Sequence, residues 1–426
     1  MIASIYIIVI CLMIYRFRKL HLNAISEFIP ISYFIMKCVC GIGVWILYRD
    51  YFKNGDMLGY MKETEIMYQL FKQSPTDFLQ ATLGLGQLDL LKNIEHWNAE
   101  TYNPIFNDNK SFLIFNLLIR FLSFGNVYTQ IVWINFASYI GLLSLYKCFN
   151  ENSYTAETKQ KKFTDVDYLK SIPFVLPSVL IFGSALLKES LLLFAFGLFV
   201  RRTQLAFSFS NNKNYLYFLI SLIFLLFIKP YLLLILLPGI FALFFHKKMP
   251  SVNVKLIFIS IYCGGLLELL LAGKFFPQFD LPTYLFGQRL NLMRNAIMSA
   301  SNNLINPISF APETFSFLRH VPQAIISAFT RPFPNEIEQW WMTPISFDSI
   351  IVATLIIYLI FKRKTLRILH SPFALLMFFS SLVLLMLIGF TIPVIGNLVR
   401  FKMPAMLMLA LSMTSFKLNK SNLFQT

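Results

Sequence analysis

The sequence predicts an all-α, polytopic integral membrane protein, and three observations carry that prediction. Of its 426 residues, 57% are hydrophobic and only 14% charged, whereas soluble domains average about 25% charged residues. The apolar residues fall in long continuous runs. Lys and Arg gather in the short segments between those runs, which suits loops facing anionic lipid. Lys plus Arg exceed Asp plus Glu by 37 to 21, yet no basic cluster is interleaved with base-stacking aromatics, so no nucleic-acid partner is implied. The five cysteines all fall within predicted membrane helices and read as small packing residues. Cys38 and Cys40 stand two apart and share no helical face, against a metal or redox pair.

Taken in order, residues 2–15 form a first apolar helix. Arg16, Arg18 and Lys19 follow that helix rather than precede it, which predicts an N-terminus outside instead of a cleaved signal. Residues 28–48 return outward with Lys37 turned into the bundle. Residues 49–111 are polar and form the first large extracytoplasmic loop. In it Met57, Tyr60, Met61, Thr64, Met67, Tyr68 and Phe71 recur at helical spacing, predicting an amphipathic helix on the membrane surface. Asp56 stands just before that helix, either as its cap or as a functional carboxylate. Residues 112–124 read as a half-buried helix and 127–149 as a full span. The polar run 150–170 carries Lys159, Lys161 and Lys162, which places it inside.

Two apolar stretches within 171–246 are each interrupted at the centre by a basic residue. Lys188 and Glu189 break the first, and Lys229, Pro230 and Tyr231 the second. A charge at mid-membrane costs about 2.5 to 3.5 kcal/mol on insertion scales, so two hairpins of short helices with their tips near the outer surface are expected. Arg201, Arg202 and Lys213 then mark a cytoplasmic link. Residues 256–272 cross outward, and 274–347 form a second extracytoplasmic loop of short surface helices. Residues 350–361 lead to the inner cluster Lys362, Arg363, Lys364 and Arg367. Residues 373–390 and 403–416 complete about eleven crossings, with the C-terminus cytoplasmic. A nine-crossing alternative makes each interrupted stretch one long helix and strands Lys188 and Lys229 in mid-membrane.

This topology collects polar residues at one face: Asp50, Asp56, Lys188, Glu189, Lys229, Tyr231, Arg331, Glu336, Arg400 and Lys402. Fixed cations beside lipid suit a phosphate, which Arg grips bidentately and Lys meets as a point charge. A nearby carboxylate suits a base or a metal ligand. Each residue also has a bland reading. Lys229 and Lys402 can snorkel from a helix end, Arg400 can hold its helix, and Glu189 can pair with Lys188. No P-loop, zinc signature, nucleophile elbow or dinucleotide fingerprint is present, and nothing in the sequence requires a cofactor.

The segments NGDMLGY, PSVLIFGSALLKES, IKPYLLLILLP, TRPFPNE and GNLVRFKMP, in this order, resemble polytopic enzymes of bacterial surface-polysaccharide assembly. These are the GT-C type glycosyltransferases and the O-antigen repeat-unit polymerases. The resemblance implies transfer of sugar or oligosaccharide from a polyprenyl-phosphate-linked donor to a saccharide or lipid-linked acceptor, at the outer face of a bacterial inner membrane. It places the base or metal ligand at Asp56, with Asp50 in reserve, and allows a divalent metal; Glu189 on the hairpin tip is a further acidic candidate from the residues themselves. It places phosphate binding at Lys188, Arg331 or Arg400; Lys229 and Lys402 join them as candidates from the residues themselves. The N-terminal helix is extra relative to GT-C enzymes, and the acidic pair common on the first loop is not adjacent here, which favours the polymerase branch. A transporter or flippase of lipid-linked sugars, or a non-catalytic subunit of an envelope complex, is the competing expectation.

Overall fold

Helices carry the chain in a computed structural model that describes residues 2–21, 28–83, 91, 94–98, 108–150, 169–208, 211–276, 280–298, 304–305, 308, 310–337, 339–361 and 371–414. Among these residues no strand forms beyond a single antiparallel bridge between Leu304 and Val394. Among the described residues seven helices are long and apolar enough to cross a membrane, and Ile2–Phe17 and Asn212–Ile228 are shorter apolar helices. The expected basic runs at Lys159, Lys161 and Lys162 and at 362–367, with the basic tail, lie outside the described residues. The chain divides into two compact units.

Unit 1 comprises Met1–Cys148, Leu180–Ala206 and Ser210–Pro230. It begins with α1 (Ile2–His21), α2 (Phe28–Ile46) and a π-helical turn, Leu47–Phe52. Then come α3 (Asp56–Gln73), α4 (Pro75–Thr82), α5 (Glu95–Asn98), α6 (Asp108–Leu122) and α7 (Val127–Asn150). Ile10 and Ile14 of α1, Phe34 and Cys38 of α2, and Val132 and Tyr139 of α7 make one buried cluster. The opposite side of α1 exposes Ile5, Ile8 and Leu12, as a lipid-facing helix should.

The predicted stripe on α3 is buried from Met57 through Met67. Its cover is protein: α6 lies against it, with Tyr60 edge-on to Phe112 at 4.8 Å and Phe71 to Phe121 at 4.9 Å. Asn116 Nδ2 of α6 donates to Thr64 Oγ1 at 3.0 Å. The periodicity read as membrane-facing is therefore satisfied by a neighbouring helix. At the far end, Arg120 of α6 pairs with Glu65 and lies over the Tyr68 ring. Burial pulls the Arg120 guanidinium below its usual range.

Both interrupted stretches do break, so neither is one long helix. In the first, a 3-10 turn at Ile172–Phe174 and the single-turn α8 (Pro177–Ile181) precede an unwound segment, 182–187. The continuous helix α9 (Lys188–Ser208) begins at the basic residue itself and carries Arg201 and Arg202 inside it. The first arm is thus not the short helix of a symmetrical hairpin, and the basic pair is not in a link. In the second stretch, α10 (Asn212–Ile228) ends at Lys229 and α11 (Pro230–Lys248) starts at Pro230. Proline is tolerated in a helix's first turn, where its missing N–H is not needed.

The unwound segment survives in an apolar interior because side chains of unit 1 replace the helical ladder. Lys37 Nζ donates to Gly183 O at 2.7 Å and to Ser184 Oγ at 3.1 Å. Ser138 Oγ donates to Gly183 O at 2.7 Å, and Asn135 Nδ2 to Ser184 O at 2.9 Å. Ser190 Oγ donates to Ala185 O at 2.6 Å. Lys37 thus has a use within the bundle.

Unit 2 comprises Phe149–Val179, Phe207–Phe209 and Tyr231–Thr426. Its helices after α11 are α12 (Val254–Phe275), α13 (Leu281–Met298), α14 (Thr314–Thr330), α15 (Thr343–Phe361), α16 (Pro372–Thr391), α17 (Ile395–Phe401) and α18 (Met403–Thr414). α18 is buried on every side, and Ser381 Oγ of α16 donates to Ala405 O within it at 2.8 Å. α14, expected as a surface helix, buries Phe317, Ala324 and Ala328. Phe317 stacks on Phe390 of α16 at 4.8 Å, and a Cβ on Gly389 would meet Ala324 Cα at 2.9 Å. The second large loop therefore contributes a core helix to unit 2.

Candidate functional site

The expected site residues divide between the units. Asp50, Asp56, Lys188, Glu189 and Lys229 belong to unit 1, and Arg331, Arg400 and Lys402 to unit 2. In unit 1, Asp50 forms a two-pronged ion pair with its neighbour Arg49, both bonds at 2.7 Å. Glu189, in the first turn of α9, and Lys229 are both buried.

Asp56 borders a cavity of about 390 Å³ whose walls include Asn54, Gly55, Gly59, Lys62, Glu95 and His96. The turn into it needs glycine. Gly55 has φ 102°, and a Cβ there would meet Tyr48 Cε1 at 2.9 Å. Gly55 is also the N-cap of α3, so Asp56 is the first helical residue and not the cap.

Asp56, Gly59, Tyr60 and Glu63 recur at the spacing of one helical face. Glu63 Oε1 accepts two hydrogen bonds from α5: the His96 backbone N–H at 3.0 Å and ring Nδ1 at 2.8 Å. Glu63 is buried, and among the described residues its Oε2 has no hydrogen-bond partner. The imidazole lies against Gly59, where a Cβ would come within 2.8 Å of Cε1. It also packs on the Tyr60 ring at 4.6 Å. Tyr60 donates its hydroxyl to Asn109 Oδ1 at 3.1 Å and has the Lys188 ammonium 5.9 Å from its ring centre. Two expected residues, Asp56 and Lys188, thus flank one group formed by Tyr60, Glu63 and His96.

Neither Glu63 nor His96 was among the expected site residues. For Glu63 the signal was there, since it follows Asp56 by seven residues on the same predicted helix. His96 sits in a separate short helix 33 residues from Glu63, and no spacing rule reaches it.

In unit 2 Lys402 is fully buried and donates to Arg331 O and to Ser349 Oγ, the latter at 3.0 Å. The TRPFPNE and GNLVRFKMP segments therefore meet through Lys402, which serves as a carbonyl anchor. Arg331 Nε lies 3.3 Å from Glu336 Oε1. Beside Ser349, the buried Asp348 accepts from the Ser178 backbone N–H at 3.2 Å. Among the described residues, no three His, Cys, Asp or Glu side chains are grouped to hold a metal ion. Comparison with protein-family models, with curated proteins and with solved structures finds no match to this chain.

Proposed function

We propose that the protein is a membrane glycosyltransferase or repeat-unit polymerase. It transfers sugar from a polyprenyl-phosphate-linked donor to a saccharide or lipid-linked acceptor at the outer face of a bacterial inner membrane. The observation that carries this reading is the cavity beside α3, which joins the Asp56 carboxylate, an imidazole and the Lys62 ammonium in a largely apolar chain. In it Asp56 engages the acceptor hydroxyl and Lys62 offsets the charge of the donor phosphate, while Lys188 adds its charge from beside the Tyr60 ring. Within unit 2, Arg331 and Arg400 are the proposed lipid-phosphate contacts.

The chemistry is displacement at the anomeric carbon. The acceptor oxygen bonds to that carbon as the bond to the phosphate oxygen breaks, and the electron pair leaves with the phosphate. Deleting the gene is expected to shorten the surface glycan or to leave unpolymerised repeat units on polyprenyl lipid. A glycan of unchanged length and amount, with no lipid-linked intermediate accumulating, would refute this function. A flippase would instead leave the intermediate on the inner leaflet, which a glycosidase added outside cannot reach.

The orientation belongs to the same reading. The seven long apolar helices, the two shorter ones, the α18 segment and the partly unwound 172–187 passage make the eleven crossings. Extended chain covers up to about 3.3 Å per residue, so that passage is long enough without being helical. Ser208, exposed at the end of α9, then lies on the cytoplasmic side. In a background without the native cysteines, Ser208→Cys is expected to resist a membrane-impermeant thiol reagent added outside. Ready labelling would overturn the eleven-crossing arrangement in favour of nine.

A further inference from the structure

Resting on the proposed transfer reaction, we infer that His96 is the base that takes the acceptor's proton and that Glu63 is its positioning residue. Three observations carry this. Glu63 Oε1 accepts from both the backbone N–H and ring Nδ1 of His96, so the carboxylate sets the ring's position and its tautomer together. With the Nδ1 proton given to Glu63, Nε2 is the nitrogen with a lone pair for an incoming proton. The second observation is burial. Glu63 is 6% exposed, with Oε2 unpartnered among the described residues, while the His96 side chain is 24% exposed and borders the cavity that holds Asp56. A buried carboxylate behind a half-exposed imidazole stabilises the imidazolium that forms during proton transfer, the division of labour of an Asp-His pair in acyl transfer.

The third is chemical. An ordinary imidazole is about two pKa units more basic than an ordinary carboxylate, and closer to neutrality, where a general base is most effective. Among the described residues, the charged and titratable groups around the ring are Glu63 and Tyr60 from α3, Glu95 from α5, and Asp56 and Lys62 on the cavity wall. Lys188 lies beyond Tyr60. Asp56 is left to accept a hydrogen bond from the acceptor and orient it.

The step balances as follows. His96 Nε2 removes the proton from the acceptor hydroxyl as its oxygen bonds to the anomeric carbon. The carbon–oxygen bond to the donor phosphate breaks, and the phosphate leaves as the anion. His96 then gives its proton to water, and the neutral ring is restored.

The test uses the full chain in membranes of the producing strain, which supply the acceptor, with a radiolabelled polyprenyl-phosphate-linked hexose as donor. His96→Gln keeps an amide donor for Glu63 but cannot accept a proton at neutral pH. It is expected to lower kcat about 10²- to 10⁴-fold with an unchanged KM for the donor. In His96→Ala, added imidazole is expected to restore part of the rate. Glu63→Gln is expected to lower kcat as well, again at constant KM. A His96→Gln variant with wild-type kcat overturns the inference, as does one whose loss lies in KM or in the amount of folded protein. If His96→Gln is active while Asp56→Asn is not, the inference fails and the transfer reading stands. If membranes lacking the protein transfer the hexose as well as those of the wild type, the transfer reading fails too.

Discussion

Asp56→Asn is expected to lower transfer from a polyprenyl-phosphate-linked hexose by roughly 10- to 150-fold while leaving the protein folded. Hydrogen bonds to a charged group contribute about 1.5 to 3 kcal/mol, and each 1.4 kcal/mol is about tenfold. Asn matches Asp in shape but not in charge, so the loss falls on the acceptor it orients. The structure predicts a small stability cost, because Gly55 is the N-cap of α3 and Asp56 its first residue. An Asp in that turn contributes about 0.3 to 1 kcal/mol through the helix dipole. Transfer in membranes and the melting temperature of the purified variant separate the two effects. Full activity in Asp56→Asn would remove Asp56 from the reaction, leaving Asp50, tied to Arg49, and the buried Glu189 as the remaining acidic candidates.

Gly197→Leu or Gly141→Leu is expected to abolish the folded protein. In unit 1 these glycines let α7 and α9 meet backbone to backbone. A Cβ on Gly197 would come within 2.7 Å of Gly141 Cα, and one on Gly141 within 2.5 Å of Phe194 Cα. The obstruction is main chain, which no rotamer change relieves. Small residues at such crossings are what bring membrane helices close enough for dispersion and polar contacts to hold them. Overpacking by even one methyl typically costs about 1 to 3 kcal/mol, and Leu adds three more carbons. Loss of the monodisperse peak in detergent extracts would report it. Gly264→Leu serves as the control, since a Cβ there meets nothing within 4 Å among the described residues. A Gly197→Leu protein that melts with the wild type would show that the crossing is looser than the structure has it.

The sequence by itself determined the membrane class, because hydropathy and charge act through the solvent and need no knowledge of neighbours. It also located both helix breaks. Lys188 and the Lys229-Pro230 pair interrupt apolar runs, and α9 and α11 start at Lys188 and Pro230. The buried stripe of α3 was legible from its period, although the period could not say whether lipid or protein would cover it. That is a tertiary decision, made by Phe112, Asn116 and Phe121 of α6. Likewise α14 reads as a surface helix until Phe390 and Gly389 of α16 are set against it.

The unwinding of 182–187 was hidden for a stronger reason. Its carbonyls are satisfied by Lys37 and by Asn135 and Ser138, side chains 146, 49 and 45 residues from their partners. A local pattern cannot show a hydrogen bond supplied from elsewhere in the chain. The same separation hid His96. Asp56 and Glu63 share a helix and could be read together, but only the fold brings α5 to α3, where a carboxylate buried by packing can fix an imidazole at the cavity wall.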